Sequence, residues 1–275
     1  MRFHKYQGLG NDYLVLEPGE VDVTARAVRA ICDRHRGVGA DGVLVEDATA
    51  DGRLAVRIVN PDGSEAEKSG NGLRIFARWL WDRGRVADGA FEVVTRGGPV
   101  RCQVREAGRM VFVAMGAASF DSMAIPVAGP RREVVDEPLE VAGERWRVTA
   151  VTVGNPHCVV FVDAPTEALA GRLGPALERH PLFPRRTNVQ FVRVVDRGHL
   201  EMVIWERGAG YTLASGSSAC GAAAAAVRLG LCDEDVTVAM PGGELAIGVG
   251  AGFKVTMLGP VGKVAEGIVA AEVLA

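Results

Sequence analysis

Short apolar segments rich in Val, Ile and Phe alternate with glycine- or proline-containing turns along most of the chain. They lie at 13–16, 42–46, 54–59, 91–94, 100–104 and 110–114, and again at 147–152, 158–162, 188–194, 200–205, 236–240, 245–248 and 253–258. Segments of this length and β-branched content read as strands. Only about four stretches read as helices: two amphipathic ones, 25–35 and 168–180, and two apolar ones, 73–81 and 219–229, the last with an alanine run that favours helix. Many strands and few helices predict a strand-dominated α+β fold rather than an alternating βαβ chain.

The pattern occurs twice. Asn60-Pro-Asp-Gly-Ser-Glu-Ala-Glu-Lys-Ser69-Gly-Asn-Gly and Glu206-Arg-Gly-Ala-Gly-Tyr-Thr-Leu-Ala-Ser215-Gly-Ser-Ser each set a polar residue nine positions before a Ser-Gly turn, 146 residues apart. An apolar stretch follows each turn, and a glycine, Gly84 or Gly230, comes 15 residues after the serine. Gly10-Asn11 and Gly154-Asn155 repeat at an offset of 144, and His35 and His180 at 145. Landmarks in one order at nearly one offset indicate a duplication, and two copies are too few for a stacked solenoid. Two similar lobes facing each other are expected. Gly, Ala, Ser and Pro interrupt the pattern at 116–130, which sets the boundary between an N-terminal lobe over 1–117 and a C-terminal lobe over 118–261. Residues 262–275 follow the second copy and are expected to return to the first lobe.

A chain of 275 residues with 48% apolar content can bury a substantial core. The net charge of −3 and the lack of like-charge blocks give no electrostatic argument for nucleic acid or an anionic membrane, so a small molecule is the expected partner. Five cysteines, an odd number with no Cys-x-x-Cys pair, argue against a disulfide framework and a structural zinc site and fit a reducing cytoplasm. The polar N-terminus does not read as a signal peptide, and no apolar run reaches membrane-spanning length. The histidines are spread singly, so no metal is expected. None of Lys5, Lys68, Lys254 and Lys263 has a phosphate-binding context, so no cofactor is expected either. Gly37-Val-Gly-Ala-Asp-Gly42 matches Gly-x-Gly-x-x-Gly but runs from helix to strand, the reverse of a dinucleotide site.

A helix begins with unpaired N–H groups and a partial positive charge, so two Ser-Gly turns opening helices are natural anion cradles. A carboxylate held there with Ser69 and Ser215 on opposite faces suits removal of a proton on one face and delivery on the other. Either serine alone is accounted for as a helix cap. The matched copies, each preceded by polar residues at one spacing, point to ligand binding as well.

Gly8-Leu-Gly-Asn-Asp, Cys32-Asp-Arg-His-Arg-Gly-Val-Gly-Ala-Asp-Gly, Asn60-Pro-Asp-Gly-Ser-Glu-Ala-Glu, Ser69-Gly-Asn-Gly, Gly154-Asn-Pro-His-Cys, Thr187-Asn188-Val and Trp205-Glu-Arg-Gly-Ala-Gly-Tyr-Thr together resemble the diaminopimelate epimerase family over essentially the whole chain. That family comprises cofactor-independent isomerases of lysine and cell-wall precursor synthesis. The resemblance implies an α+β fold of two pseudosymmetric lobes, each a curved, mostly antiparallel sheet wrapped around a central helix, assembled as a homodimer. It implies that Asn11, Asn60, Asn155 and Asn188 line the substrate site and that Glu206 and Arg207 contact the amino and distal carboxylate ends. Gly70, Asn71, Gly216 and Ser217 would offer helix-start N–H groups to the α-carboxylate, with His157 orienting the site.

The family's acid/base pair is two cysteines, and this chain has Ser69 and Ser215 there, with Ser217-Ser218 in place of Thr-Gly. A thiol titrates near neutrality at a helix start, whereas a serine hydroxyl is a far weaker acid. The leading expectation is two-base epimerisation of diaminopimelate through Ser69 and Ser215. Two others stand beside it: a different isomerisation, tautomerisation or racemisation with Glu206 or His157 as general base, and a ligand-binding paralogue without turnover.

Overall fold

The computed structural model describes residues 1–17, 23–49 and 51–274. Residues 18–22 and 50 of the expected N-terminal lobe, and Ala275 of the expected returning segment, lie outside the described residues. The chain divides into two compact units, 1–113 with 258–275, and 114–257.

The first unit contains β1 (Arg2–Gly8), β2 (Asn11–Leu16), α1 (Ala25–Cys32), β3 (Val43–Ala48), β4 (Leu54–Val59), β5 (Glu65–Ala66), α2 (Gly70–Asp82), β6 (Ala90–Thr95) and β7 (Gly98–Arg105), followed by β8 (Met110–Ala117) at its end. Pairing is antiparallel for β1–β2, β3–β4, β4–β5, β6–β7 and β7–β8. It is parallel for β2–β3 across α1 and for β4–β6 across α2.

The second unit repeats this order with β9 (Glu137–Val141), β10 (Glu144–Thr152), β11 (Pro156–Phe161), α3 (Glu167–Glu178), β12 (Asn188–Asp196), β13 (His199–Glu206), β14 (Gly210–Thr212), α4 (Gly216–Arg228), β15 (Asp235–Met240), β16 (Gly243–Gly250) and β17 (Lys254–Pro260). Six of these pairings recur: β10–β11, β12–β13, β13–β14 and β15–β16 are antiparallel, and β11–β12 and β13–β15 are parallel. The sheets are therefore mixed. Outside the repeat, β9 pairs with β10, and β1 pairs with the last strand, β18 (Gly262–Ile268), which precedes a short α5 (Ala271–Leu274).

Strand alternation decides what each face meets. In the first unit Leu14, Leu16, Val43 and Val45 pack on Val28 and Ile31 of α1, which leaves Asn11, Tyr13 and Val15 on the opposite face of β2. In the second, Cys158, Val160, Val189 and Phe191 pack on Ala170, Leu173 and Leu177 of α3, which leaves His157, Asn188 and Gln190 on the opposite face.

The helices on those opposite faces are buried nearly all round. Gly70 to Ala77 of α2 and Ala219 to Ala226 of α4 are buried at every position, as a helix enclosed by a sheet must be. α2 meets β1, β2 and β7, and α4 meets β10, β11, β12, β15 and β16. Both helices span 13 residues and end in the same way, with Gly84 (φ 64°) and Gly230 (φ 71°) in the left-handed conformation that closes a C-terminus. The repeated glycine is thus a stop signal.

Candidate active site

The two helix starts have nearly one backbone geometry: Ser69 has φ −138° and ψ 121°, and Ser215 has φ −145° and ψ 122°. Their side chains differ. Ser69 Oγ accepts from the Gly72 N–H at 3.0 Å, and Tyr13 Oη lies 3.4 Å away. Ser215 is buried and makes no capping bond, so α4 keeps the N–H groups that a cap would occupy.

Beside Ser69, the Asn71 Nδ2 donates to Asn11 Oδ1 at 3.0 Å, and Asn11 Nδ2 donates to Asp41 Oδ2 at 2.9 Å. Asp41 also accepts from the Asp12 N–H at 3.0 Å and from Arg34 at 2.6 Å. Arg34 and Lys5 both bind Asp12, each at 2.8 Å. Burial alone would raise the Asp12 pKa, but the hydrogen bonds from Arg34 and Lys5 outweigh it and hold the carboxyl below its usual range. Asn71 Oδ1 is a buried acceptor with no hydrogen-bond partner.

In the second unit Asn155 occupies the place of Asn11. Its Nδ2 donates to Ser217 Oγ at 3.3 Å, and its Oδ1 lies 2.9 Å from His157 Nε2. His157 Nδ1 lies 3.1 Å from Gln190 Nε2, which also donates to Ser218 Oγ at 3.0 Å. Burial, with the charge of Arg207, pushes the His157 pKa down to about 3. The His157 ring is fully enclosed, with both nitrogens engaged.

The loop segments are anchored locally. Asn60 Nδ2 donates to Ser64 Oγ at 3.0 Å within a tight turn. Asn188 accepts from the Arg207 N–H at 3.0 Å and donates to the Pro156 carbonyl at 2.9 Å, tying the end of β13 to the start of β11. Buried Glu178 accepts from Trp205 Nε1 at 2.8 Å and the Gly208 N–H at 3.1 Å, which fixes the turn carrying Glu206 and Arg207. Burial would raise the Glu178 pKa, but these bonds and Arg186 bring it below the usual value.

The first unit thus gathers Ser69, Gly70, Asn71 and Asn11, with Asn60 on the turn after β4. The second gathers Ser215, Gly216, Ser217, Asn155 and His157, with Asn188, Glu206 and Arg207 at the ends of β12 and β13. Sequence reading missed Gln190, Ser218, Asp41 and Tyr13. A signal existed for Gln190: a polar side chain in an apolar strand, two residues from Asn188 and so on its face. Cys158 faces the α3 side, its thiol pushed up to about 12 by burial, as a packing residue would be. Among the described residues no group of three or more His, Cys, Asp or Glu is arranged to hold a metal ion.

Among solved structures, the chain is similar in fold to a probable proline racemase from Agrobacterium radiobacter (TM-score 0.72, 17% identity, 98% of this chain and 92% of that one). It is likewise similar to a hydroxyproline epimerase from Agrobacterium vitis (TM-score 0.73, 16% identity, 97% and 91%). In sequence it is 48% identical to "Diaminopimelate epimerase 2" of Nostoc sp. over 100% of this chain and 98% of that protein. It is 45% identical to "Diaminopimelate epimerase" of Moorella thermoacetica over 90% and 91%. The profile described as diaminopimelate epimerase matches residues 3–120 and 149–264, and with relatives of this identity over the full length the chain belongs to the diaminopimelate epimerase family.

Proposed function

We propose that this chain is a cofactor-independent amino-acid epimerase that interconverts LL- and meso-diaminopimelate by two-base proton transfer. The observation that carries the reading is the duplicated Ser-Gly helix start, with one backbone geometry in both copies and an asparagine amide beside each. Family membership supports the reaction class, and the names of the relatives support the substrate. Inversion at Cα requires one group to take the proton and another to return one, and the repeat supplies two hydroxyls for those roles, Ser69 and Ser215. One serine oxygen, as alkoxide, takes the α-proton; the electron pair left on carbon delocalises into the α-carboxylate, and the other hydroxyl gives its proton to carbon and is left as alkoxide. The N–H groups of Gly70, Asn71, Gly216 and Ser217 stabilise the charge that builds on the carboxylate. Glu206 and Arg207 bind the amino and distal carboxylate groups, with Asn11, Asn60, Asn155 and Asn188 lining the site. His157 holds Asn155.

A serine alkoxide is reached with far more difficulty than a thiolate, and that chemistry favours one second reading, a binder of the same ligand that does not turn it over. α-Proton exchange in deuterated water, followed by NMR with LL-diaminopimelate, separates the two. Exchange with inversion that is lost in Ser69→Ala and in Ser215→Ala is the expected result; saturable binding without exchange would establish the binder. Replacing both serines by cysteine is expected to raise the rate at least tenfold. We further propose a cytoplasmic homodimer. Five buried free cysteines support a reducing compartment, and sedimentation tests the assembly.

A further inference from the structure

Gln190, Ser218 and His157 are all fully buried, so the direction of each hydrogen bond among them carries weight. The Gln190 amide nitrogen has two hydrogens and two neighbours, His157 Nδ1 at 3.1 Å and Ser218 Oγ at 3.0 Å, while its Oε1 is buried without a partner. Turning the amide over would strand both hydrogens in place of one carbonyl, which is the costlier arrangement. The network therefore assigns Nδ1 as acceptor, and the ring proton sits on Nε2. That proton is donated to Asn155 Oδ1 at 2.9 Å, which turns Asn155 Nδ2 toward Ser217 Oγ. Ser217 Oγ is then an acceptor in this chain, and its own hydrogen remains to be donated elsewhere.

The first unit supplies the contrast. There Asp41 is an acceptor only, so Asn11 turns its Nδ2 toward Asp41 and its carbonyl toward the helix start, where it receives Asn71 Nδ2. Two asparagines at one place in the repeat thus lie in opposite senses, each dictated by the partner behind it. The ring of His157 is held on α4 as well: a Cβ at Gly221 would come within 3.3 Å of it.

We propose that Gln190 is a positioning residue of the site: by fixing the Nε2–H tautomer of His157 it keeps the Asn155 amide nitrogen on Ser217 and so leaves the Ser217 hydroxyl as a donor to the ligand's α-carboxylate. This rests on the carboxylate-binding reading of the α4 start. Burial keeps His157 neutral well below neutral pH, so one tautomer serves the working range.

The test uses the full chain. Two-bond proton–nitrogen NMR of the ligand-free protein reads the His157 tautomer, and calorimetry reads diaminopimelate affinity without needing turnover. Nε2–H in the wild type is expected, and Nδ1–H would overturn the assignment. Gln190→Glu, which offers an acceptor to Nδ1, is expected to move the proton to Nδ1 and weaken binding about tenfold, the scale of one hydrogen bond to a charged group. In a Ser217→Ala background the same change should alter affinity less than twofold, because the chain then ends on nothing. Equal losses in both backgrounds would reduce Gln190 to a packing role and overturn the proposal. Should Gln190→Glu fail to fold, Gln190→Met, which removes the donor at similar length, enters the same cycle. A wild-type chain that binds no diaminopimelate overturns the substrate reading beneath the proposal, and the ligand-free tautomer tells that failure apart from failure of the Gln190 assignment.

Discussion

Ser69 and Ser215 share a place in the repeat and a backbone geometry, yet Ser69 Oγ accepts from the Gly72 N–H and Ser215 caps nothing. One orphan donor is consumed at the start of α2 by its own chain, and the start of α4 leaves the equivalent group uncapped. The difference is measurable as stability. Ser69→Ala is expected to cost about 1 kcal/mol through the lost cap, while Ser215→Ala removes no capping bond and should cost less. Urea unfolding of the two variants checks this, and equal costs would show that the asymmetry does not exist in solution. The sequence marks both serines as helix starts, because Ser-Gly before an apolar run carries that signal. It cannot say which hydroxyl turns inward, since the rotamer depends on neighbours such as Tyr13, 56 residues from Ser69.

Glycines illustrate the same limit for elements. Gly171 in α3 and Gly221 in α4 read identically in the sequence, as isolated helix glycines costing about 1 kcal/mol relative to alanine. A Cβ at Gly171 meets nothing within 4 Å, whereas one at Gly221 comes within 3.3 Å of both His157 and Val151. Gly171→Ala is therefore expected to stabilise by about 0.5–1 kcal/mol. Gly221→Ala should destabilise by about 1 kcal/mol or more through overpacking and weaken ligand binding by displacing His157. Thermal unfolding of the pair decides it; a stabilising Gly221→Ala would mean that the ring yields without cost. Strand identity and alternation were legible because period-two patterning is local. The partner behind each strand was not, because Gln190 and His157, 33 residues apart, meet across β11 and β12 only through the register that sets His157 opposite Asn188.

The duplication was the most legible property of the whole chain, since a constant offset of 144–146 residues survives even where α2 uses Leu, Ile, Phe and Trp and α4 uses alanine. Identical topology conceals different chemistry, however: the first unit builds its polar network around carboxylates, and the second around a buried neutral imidazole. That difference sets the acid response of the protein. His157 is pushed down to about 3 when folded and titrates near 6.5 when unfolded. Below about pH 6.5 the unfolded state therefore takes up a proton that the folded state refuses. The stabilisation is complete above that pH and falls as pH drops, at about 1.4 kcal/mol per pH unit, until the folded value is reached. Asp12 and Glu178, held below their usual values, act with the same sign; their contribution is present above the ordinary carboxylate range and lost as pH falls through their folded values. Between about pH 6.5 and pH 5 those carboxylates are silent, and a variant lacking His157 separates its imidazole from those of His4, His35, His180 and His199. Urea midpoints across that window should give a slope for the wild type that flattens by about one proton in His157→Gln, whatever the variant loses in absolute stability. An unchanged slope would show that His157 takes up its proton in the folded protein, and the neutral ring that aligns Asn155 and Ser217 would not persist at mildly acidic pH.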